Sequence, residues 1–267
     1  YTLANGVAVA LLPKQTRGQT VNARFRVILG DEEALTGRTT AGGLSGAMLM
    51  RGSSGHTRQQ IQDELDRIQA TGSVRGSAGQ ASGSVQTTRD NLGGALRLIA
   101  EIVREPTFPE SEFETLREQQ FASLEQQRSD PAALAQTALG RHMNPVPPGH
   151  PNYTATVDES VAALGAVTLD EARAFHREFY GPQLGTLAVV GDFNLDEIRG
   201  VIEEAFGDWE SPYPAIRIST EFFDAPAEVL QIETPDKANA FLFAQQNLAL
   251  RDDHADYPAL TLAGYMI

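Results

Sequence analysis

Catalysis or metal binding at neutral pH needs particular residue types at particular spacings, and histidine is the first type to place. This chain has five, His56, His142, His150, His176 and His254, and no cysteine. A helical zinc pair sets two histidines one turn apart on one face, and no two of these lie three or four residues apart. His142 and His150 are eight apart across a proline-rich loop, with no helical face to bring them together. Each reads as a solvated or capping side chain rather than a ligand. His176 follows Phe175 on an amphipathic stretch and reads as a packed histidine at the edge of the core. Without cysteine, disulfide frameworks and thiolate zinc sites are excluded.

Other chemistry-bearing patterns fare no better. Gly72–Gly83 is dense in glycine but lacks the Gly-Lys-Ser/Thr ending of a phosphate loop and does not join a strand to a helix. It reads as a hairpin of small residues. Leu187–Gly191 followed by a helix has one glycine where a dinucleotide turn needs three. There is no Gly-x-Ser-x-Gly nucleophile elbow. A net charge of −14 argues against a nucleic-acid surface. No apolar run approaches the roughly 18 residues that suggest a membrane-spanning helix. The 41 % apolar content is enough for a sizeable core.

The elements that must carry any site are legible from periodicity and caps. An Asn5-Gly6 turn signal precedes a β-rich run to Pro13. Val21, Ala23, Phe25 and Val27 alternate as in a half-buried strand. Gly42–Met50 is small and apolar and predicts a buried helix. Thr57 and Gln60 form a capping-box pattern before a helix that aligns Ile61, Leu65 and Ile68. Ser73–Gly79 and Ala81–Thr87 predict thin paired strands. Helices are expected over Arg89–Arg104, Glu110–Arg128 and Ala132–Met143, with a loop at Asn144–Tyr153. Another helix follows Thr168-Leu-Asp-Glu171, a strand Gly185–Val190, and a helix Asn194. Beyond Ser211-Pro-Tyr-Pro214, strands are expected around Val229–Thr234 and Asn239–Asn247, then a helix after Asp256. This mixture predicts the α+β class, an antiparallel sheet with helices packed on one face. Asn22–Gly46 and Asn239–Ile267 share a strand, polar loop and small-residue helix. That echo divides the chain into a domain at 1–212 and the beginning of a similar one at 213–267. With Tyr1 first and an apolar pattern running to Ile267, the chain reads as a piece of something longer.

Several stretches, taken in order, resemble the insulinase/pitrilysin family of zinc metallopeptidases. They are Leu3-Ala-Asn-Gly6-Val, the approach Gly30 to Gly42-Gly43-Leu44, and Met48-Leu-Met-Arg-Gly52-Ser53. Pro148-Gly-His-Pro-Asn-Tyr153, Phe175–Tyr180 with Leu187-Ala-Val-Val-Gly-Asp192, and Glu204-Ala-Phe-Gly-Asp-Trp209 complete the series. Asp236–Gln246 and Asp252–Ile267 look like the opening of the family's next domain. The resemblance implies an insulinase/mitochondrial-processing-peptidase-like fold, with two such domains per half and two halves closing around a peptide-filled chamber.

Active members carry the inverted motif H-x-x-E-H, two zinc ligands and a general base. Aligned on Gly52-Ser53, it falls on Gly43, Leu44, Ser45, Gly46 and Ala47. The ligand positions hold Gly43 and Ala47 and the base position holds Gly46, and Thr39–Met50 contains no His or Glu at all. Glu125 lies near the distal ligand position, and one carboxylate cannot hold zinc. The resemblance therefore implies a non-catalytic half that binds no metal itself, with zinc expected in an H-x-x-E-H half or subunit as partner. The family's Arg/Tyr substrate pair would fall beyond residue 267. The alternatives are a structural subunit of a larger complex, or a peptide-binding module that uses a sheet edge, for which the thin hairpin is the candidate, at Ser73, Val74, Gly76, Ala78, Ser82 and Ser84. Missing cysteines suit oxidising and reducing compartments alike; together with the acidic charge they favour a bacterial, periplasmic protein.

Overall fold

The computed structural model describes residues 1–211 and 213–266. Among these residues five strands are formed, β1 (Ala8–Pro13), β2 (Thr20–Ile28), β3 (Thr71–Gly76), β4 (Gln80–Thr88) and β5 (Thr186–Gly191). They make one sheet in the order β1-β5-β2-β4-β3. β2 runs antiparallel to both β4 and β5, and β3 and β4 form the expected hairpin. The pair β1–β5 is parallel, so the sheet is antiparallel except at that edge. A parallel pair needs a long crossover, and here nearly the whole domain separates the two strands. The class is α+β, as the mixture of strands and helices predicts.

Alternation along β2 explains the layering. Val21, Ala23, Phe25 and Val27 are buried, while Asn22, Arg24 and Arg26 are exposed. The buried face is covered by α3 (Arg58–Arg67), α4 (Leu92–Arg104) and α9 (Leu195–Phe206), through Ile61, Leu65, Leu96, Ile99, Ile198 and Ile202. Each such side chain contributes about 1.5–3 kcal/mol when fully buried. A second cluster joins α2 (Thr39–Met48), α5 (Glu110–Gln127), α7 (Val157–Ala166) and α8 (Leu169–Phe179), through Leu44, Met48, Phe113, Leu164 and Ala172. The remaining helices are α1 (Glu32–Leu35), α6 (Pro131–Met143) and α10 (Tyr257–Gly264).

Caps set the helix starts as the sequence predicts. Thr57 with Gln60 and Thr168 with Glu171 form reciprocal capping boxes, and the Asn194 side chain accepts from the amides of Asp196 and Glu197. A third box, Thr156 with Glu159, opens α7, an element not expected from the sequence. The opposite correction applies to 229–234 and 239–247. Neither forms a strand; both run exposed, with Val229 at 89 % and Leu242 at 93 % of full exposure. Their aliphatic and aromatic residues suit a strand, but a strand exists only where a second backbone takes up its hydrogen bonds. Among the described residues neither segment pairs with the sheet. The segment from 213 is nevertheless tethered. Tyr213 Oη donates to Asp31 (3.1 Å), the Ile216 amide to Gly30 O (2.8 Å), and Asn247 Nδ2 to Met143 O (2.8 Å).

Candidate functional site

The helix that would carry the metal motif is α2, and its surroundings are built from its flanks inward. Gly30 turns the chain out of β2 with φ at +56°, where a Cβ would meet Leu35 at 2.9 Å. Asp31 then caps α1, accepting from the Ala34 amide (2.9 Å). Arg38, just before α2, donates to both carboxylate oxygens of Glu178 on α8 (2.9 and 2.7 Å) and lies over the Phe179 ring. At the other end, Arg51 donates to Glu112 on α5 (2.8 Å). These pairs fix α2 against its neighbours at both ends.

Between them the helix lies backbone-to-backbone on β3. A Cβ built at Gly46 would overlap the backbone of Gly76, and one at Gly42 would stand 2.6 Å from Ala78 Cα. Gly43 is different: a Cβ there meets nothing within 4 Å. Ala47, one turn on, is exposed. The two ligand positions thus face outward without a donor atom, and the base position has no room for any side chain. These residues do not fit a catalytic zinc, which needs three protein ligands and an open water position.

Polar groups beside this junction are buried and sparsely partnered. The hydroxyls of Ser45 and Tyr180 face each other below the Gly46–Gly76 contact. They lack hydrogen-bond geometry, and neither has another partner among the described residues. Burial pushes the Tyr180 phenol above its ordinary range. Tyr180 stacks on His176, with ring centroids 4.3 Å apart. His176 Nε2 lies 2.9 Å from Val103 O, so it carries the proton and donates. Burial depresses the imidazole to about 4, so it is neutral at physiological pH. The packed-histidine expectation matches this geometry.

The remaining histidines and Glu125 stand in separate local networks. His142 Nε2 lies 2.8 Å from Pro226 O, and its Nδ1 3.2 Å from Glu228. His150 Nε2 lies 3.3 Å from Glu32, and its Nδ1 accepts from the Asn152 amide. His56 pairs with Glu101 (2.9 Å), and His254 lies 3.8 Å from Asp256. Glu125, on the exposed side of α5, pairs with Arg128 (2.7 Å). Among the described residues no group of three His, Cys, Asp or Glu is close enough to hold a metal ion.

The expected peptide-binding residues divide. Ser73, Val74 and Gly76 lie on β3, an outer strand of the sheet, and Ala78 lies in the turn after it. Among the described residues no backbone bonds to the outer side of β3. Ser82 and Ser84, placed by sequence on the same edge, lie instead on β4, which is paired on both sides. A hairpin has one outer strand, and here it is β3. What Ser82 and Ser84 contribute is the floor of the helix-free face, in register with Arg26 and Arg24 of β2. Sequence reasoning missed these arginines, although the β2 alternation that buries Phe25 also turns them outward.

Comparison with known proteins agrees with this geometry. Residues 166–267 match the family model described as the peptidase M16 inactive domain. The fold matches a peptidase M16 inactive domain from Pseudomonas fluorescens, with a TM-score of 0.67 and 21 % identity, covering 85 % of this chain and 53 % of that one. It also matches a protease from Helicobacter pylori, with a TM-score of 0.67 and 18 % identity, covering 85 % of this chain and 53 % of that one. The chain therefore spans about half the length of these solved structures. No curated protein matches it. At such identities the structures establish the fold. The family match over the C-terminal part and the emptied motif agree with it, and together they bear out the resemblance to an insulinase-type non-catalytic half.

Proposed function

We propose that this chain closes a peptide-binding chamber for a partner that carries H-x-x-E-H, as the opening portion of a non-catalytic half. The observation that carries the reading is the contact of Gly46 with Gly76, which leaves the base position with no side-chain space. A working motif would need that space for its general base; here the backbone of β3 occupies it. Residues 1–212 would form one domain and 213–267 the start of a similar one, whose exposed Val229, Phe241 and Leu242 await a sheet of their own. The matched family segment runs across that boundary. The role for peptide falls to β3, whose free outer side can add an extended chain as a further strand.

Elemental analysis after mild dialysis tests the reading first. Zinc well below one per chain is expected, with no cleavage of unstructured peptides by the chain alone. Adding an H-x-x-E-H half encoded in the same or a neighbouring gene should produce cleavage that the half lacks by itself. Zinc near one per chain that survives dialysis, or a partner half fully active without this chain, would overturn it.

A further inference from the structure

We propose that the helix-free face of the sheet binds extended acidic peptide segments through Arg24, Arg26 and Arg75. The inference deepens the chamber reading and rests on it, since it names the class of peptide that the face would take. Its basis is the register of the strands. Arg26 on β2 stands opposite Ser82 on β4, and Ser82 stands opposite Arg75 on β3. Arg24 stands opposite Ser84, which stands opposite Ser73. All three arginines point away from the helices, and all are exposed.

Charge marks this face within the molecule. The chain carries −14 overall, and its arginines are commonly held by carboxylates, as in Arg38–Glu178, Arg51–Glu112 and Arg97–Glu204. Arg24, Arg26 and Arg75 have no carboxylate within ion-pairing distance among the described residues. The residues paired with them on this face, Ser82, Ser84, Thr186 and Ala188, are small and without charge. An acidic protein has thus left three guanidinium groups unneutralised on one surface, over a floor of small side chains.

Spacing selects the occupant. Residues two apart on a strand are separated by about 6.8 Å, and strands by about 4.8 Å. Arg24 and Arg26 therefore match carboxylates two residues apart on an extended peptide. Arg75, two strands over from Arg26 and about 10 Å away, suits a third carboxylate of a chain crossing the face. Guanidinium–carboxylate pairs are charge-assisted and bidentate, so each adds geometry as well as attraction. Short carboxylates over small serines can reach the groups without steric conflict.

The test is fluorescence anisotropy of the purified chain with labelled unstructured peptides. One carries Glu at alternate positions, one Gln and one Lys at the same positions, and a fourth repeats the Glu peptide with N-methylated backbone amides. The Glu peptide is expected to bind at least roughly tenfold more tightly than the Gln peptide. Raising salt should erode that preference, and R24Q/R26Q/R75Q should abolish it with an unchanged thermal melt. Equal binding of Glu and Gln peptides, or a preference that survives in the triple variant, overturns the proposal. If Glu, Gln and Lys peptides bind alike and N-methylation abolishes binding, strand addition at β3 stands while the arginine assignment falls. If no peptide binds, both fall.

Discussion

At Gly46 the space a side chain would need is taken by the Gly76 backbone. On the opposite face of the same sheet Ser82 and Ser84 are also small, yet no helix packs on them; Ser82 lies between Arg26 and Arg75, and Ser84 between Arg24 and Ser73. Small residues thus do two jobs within one hairpin. On the inner face they let helix and strand backbones touch, which excludes chemistry at the motif positions. On the outer face they keep a charged surface low and open. Glycine and serine density alone does not separate these uses. The separation comes from which face each residue meets, and a pleated strand reassigns that at every step.

The sharpest way to break the comparison is to force a side chain into the closed site. Gly46→Ala should destabilise the chain by about 3 kcal/mol, at the upper end of over-packing, because backbone cannot swing aside as a side chain can. Chemical denaturation would read this as a lower midpoint. A neutral effect would mean that α2 and β3 separate readily, and the closed-site reading would lose its support.

Almost as large is the pH response of the buried histidine beside that site. His176 is held neutral with a folded value of about 4, against about 6.5 when unfolded. Below about 6.5 the unfolded chain takes up a proton that the folded chain refuses, so stability falls as pH drops through this window and levels off near the folded value. The full loss is about 3 kcal/mol, from 1.36 kcal/mol for each unit of difference. Carboxylates such as Glu101, Glu159 and Glu178, held below their usual range by hydrogen bonds and neighbouring cations, add their own loss at lower pH. Urea melts from pH 7 to pH 4.5 on the parent and His176→Gln separate the two. The variant should lose most of the slope above pH 5, and an unchanged slope would remove His176 as its source.

Next comes the pair of buried hydroxyls. Tyr180→Phe removes a phenol oxygen that is buried without a partner of good geometry. An unsatisfied buried polar group costs roughly 1–3 kcal/mol, so the variant should be neutral to about 1 kcal/mol more stable in thermal melts. Marked destabilisation would mean that the hydroxyl is well bonded in solution. Gly43→Ala should stabilise by roughly 0.5–1 kcal/mol, because the position is helical and open and alanine is the better helix former. Gly43 and Gly46 lie on the same helix, so their opposite signs isolate packing from propensity.

How much of this could be read beforehand differs between the regions. The capped helices and the alternating strand β2 were legible, because caps and periodicity are local. The emptied motif was legible too, since Thr39–Met50 contains no metal-binding or basic side chain. Helix α7 was not: only Leu164 is fully buried along it, so no clear apolar stripe shows, though its Thr156–Glu159 cap was available. The segments 229–234 and 239–247 carry strand-forming apolar residues but find no second backbone among the described residues, and pairing is not a property of one segment. The parallel β1–β5 contact and the alignment of Arg26 and Arg75 across Ser82 join residues far apart in sequence. Only the sheet register puts them together.

The smallest expected effect tests the open face. R24Q/R26Q/R75Q should leave stability within about 0.5 kcal/mol, the usual range for surface substitutions away from packed or paired groups. If these arginines held the fold through ion pairs, their loss would show in the melt; if they are held ready for an outside carboxylate, it would not. The same substitution at Arg51, which donates to both Glu112 and Gln119 across α5, should cost more, because it takes a donor from Gln119 and leaves Glu112 with only the longer contact from Arg58 (3.3 Å). A triple variant as destabilised as Arg51→Gln would place the outer arginines among the structural ones. The contrast between a closed inner face and an available outer face would then collapse from the outer side.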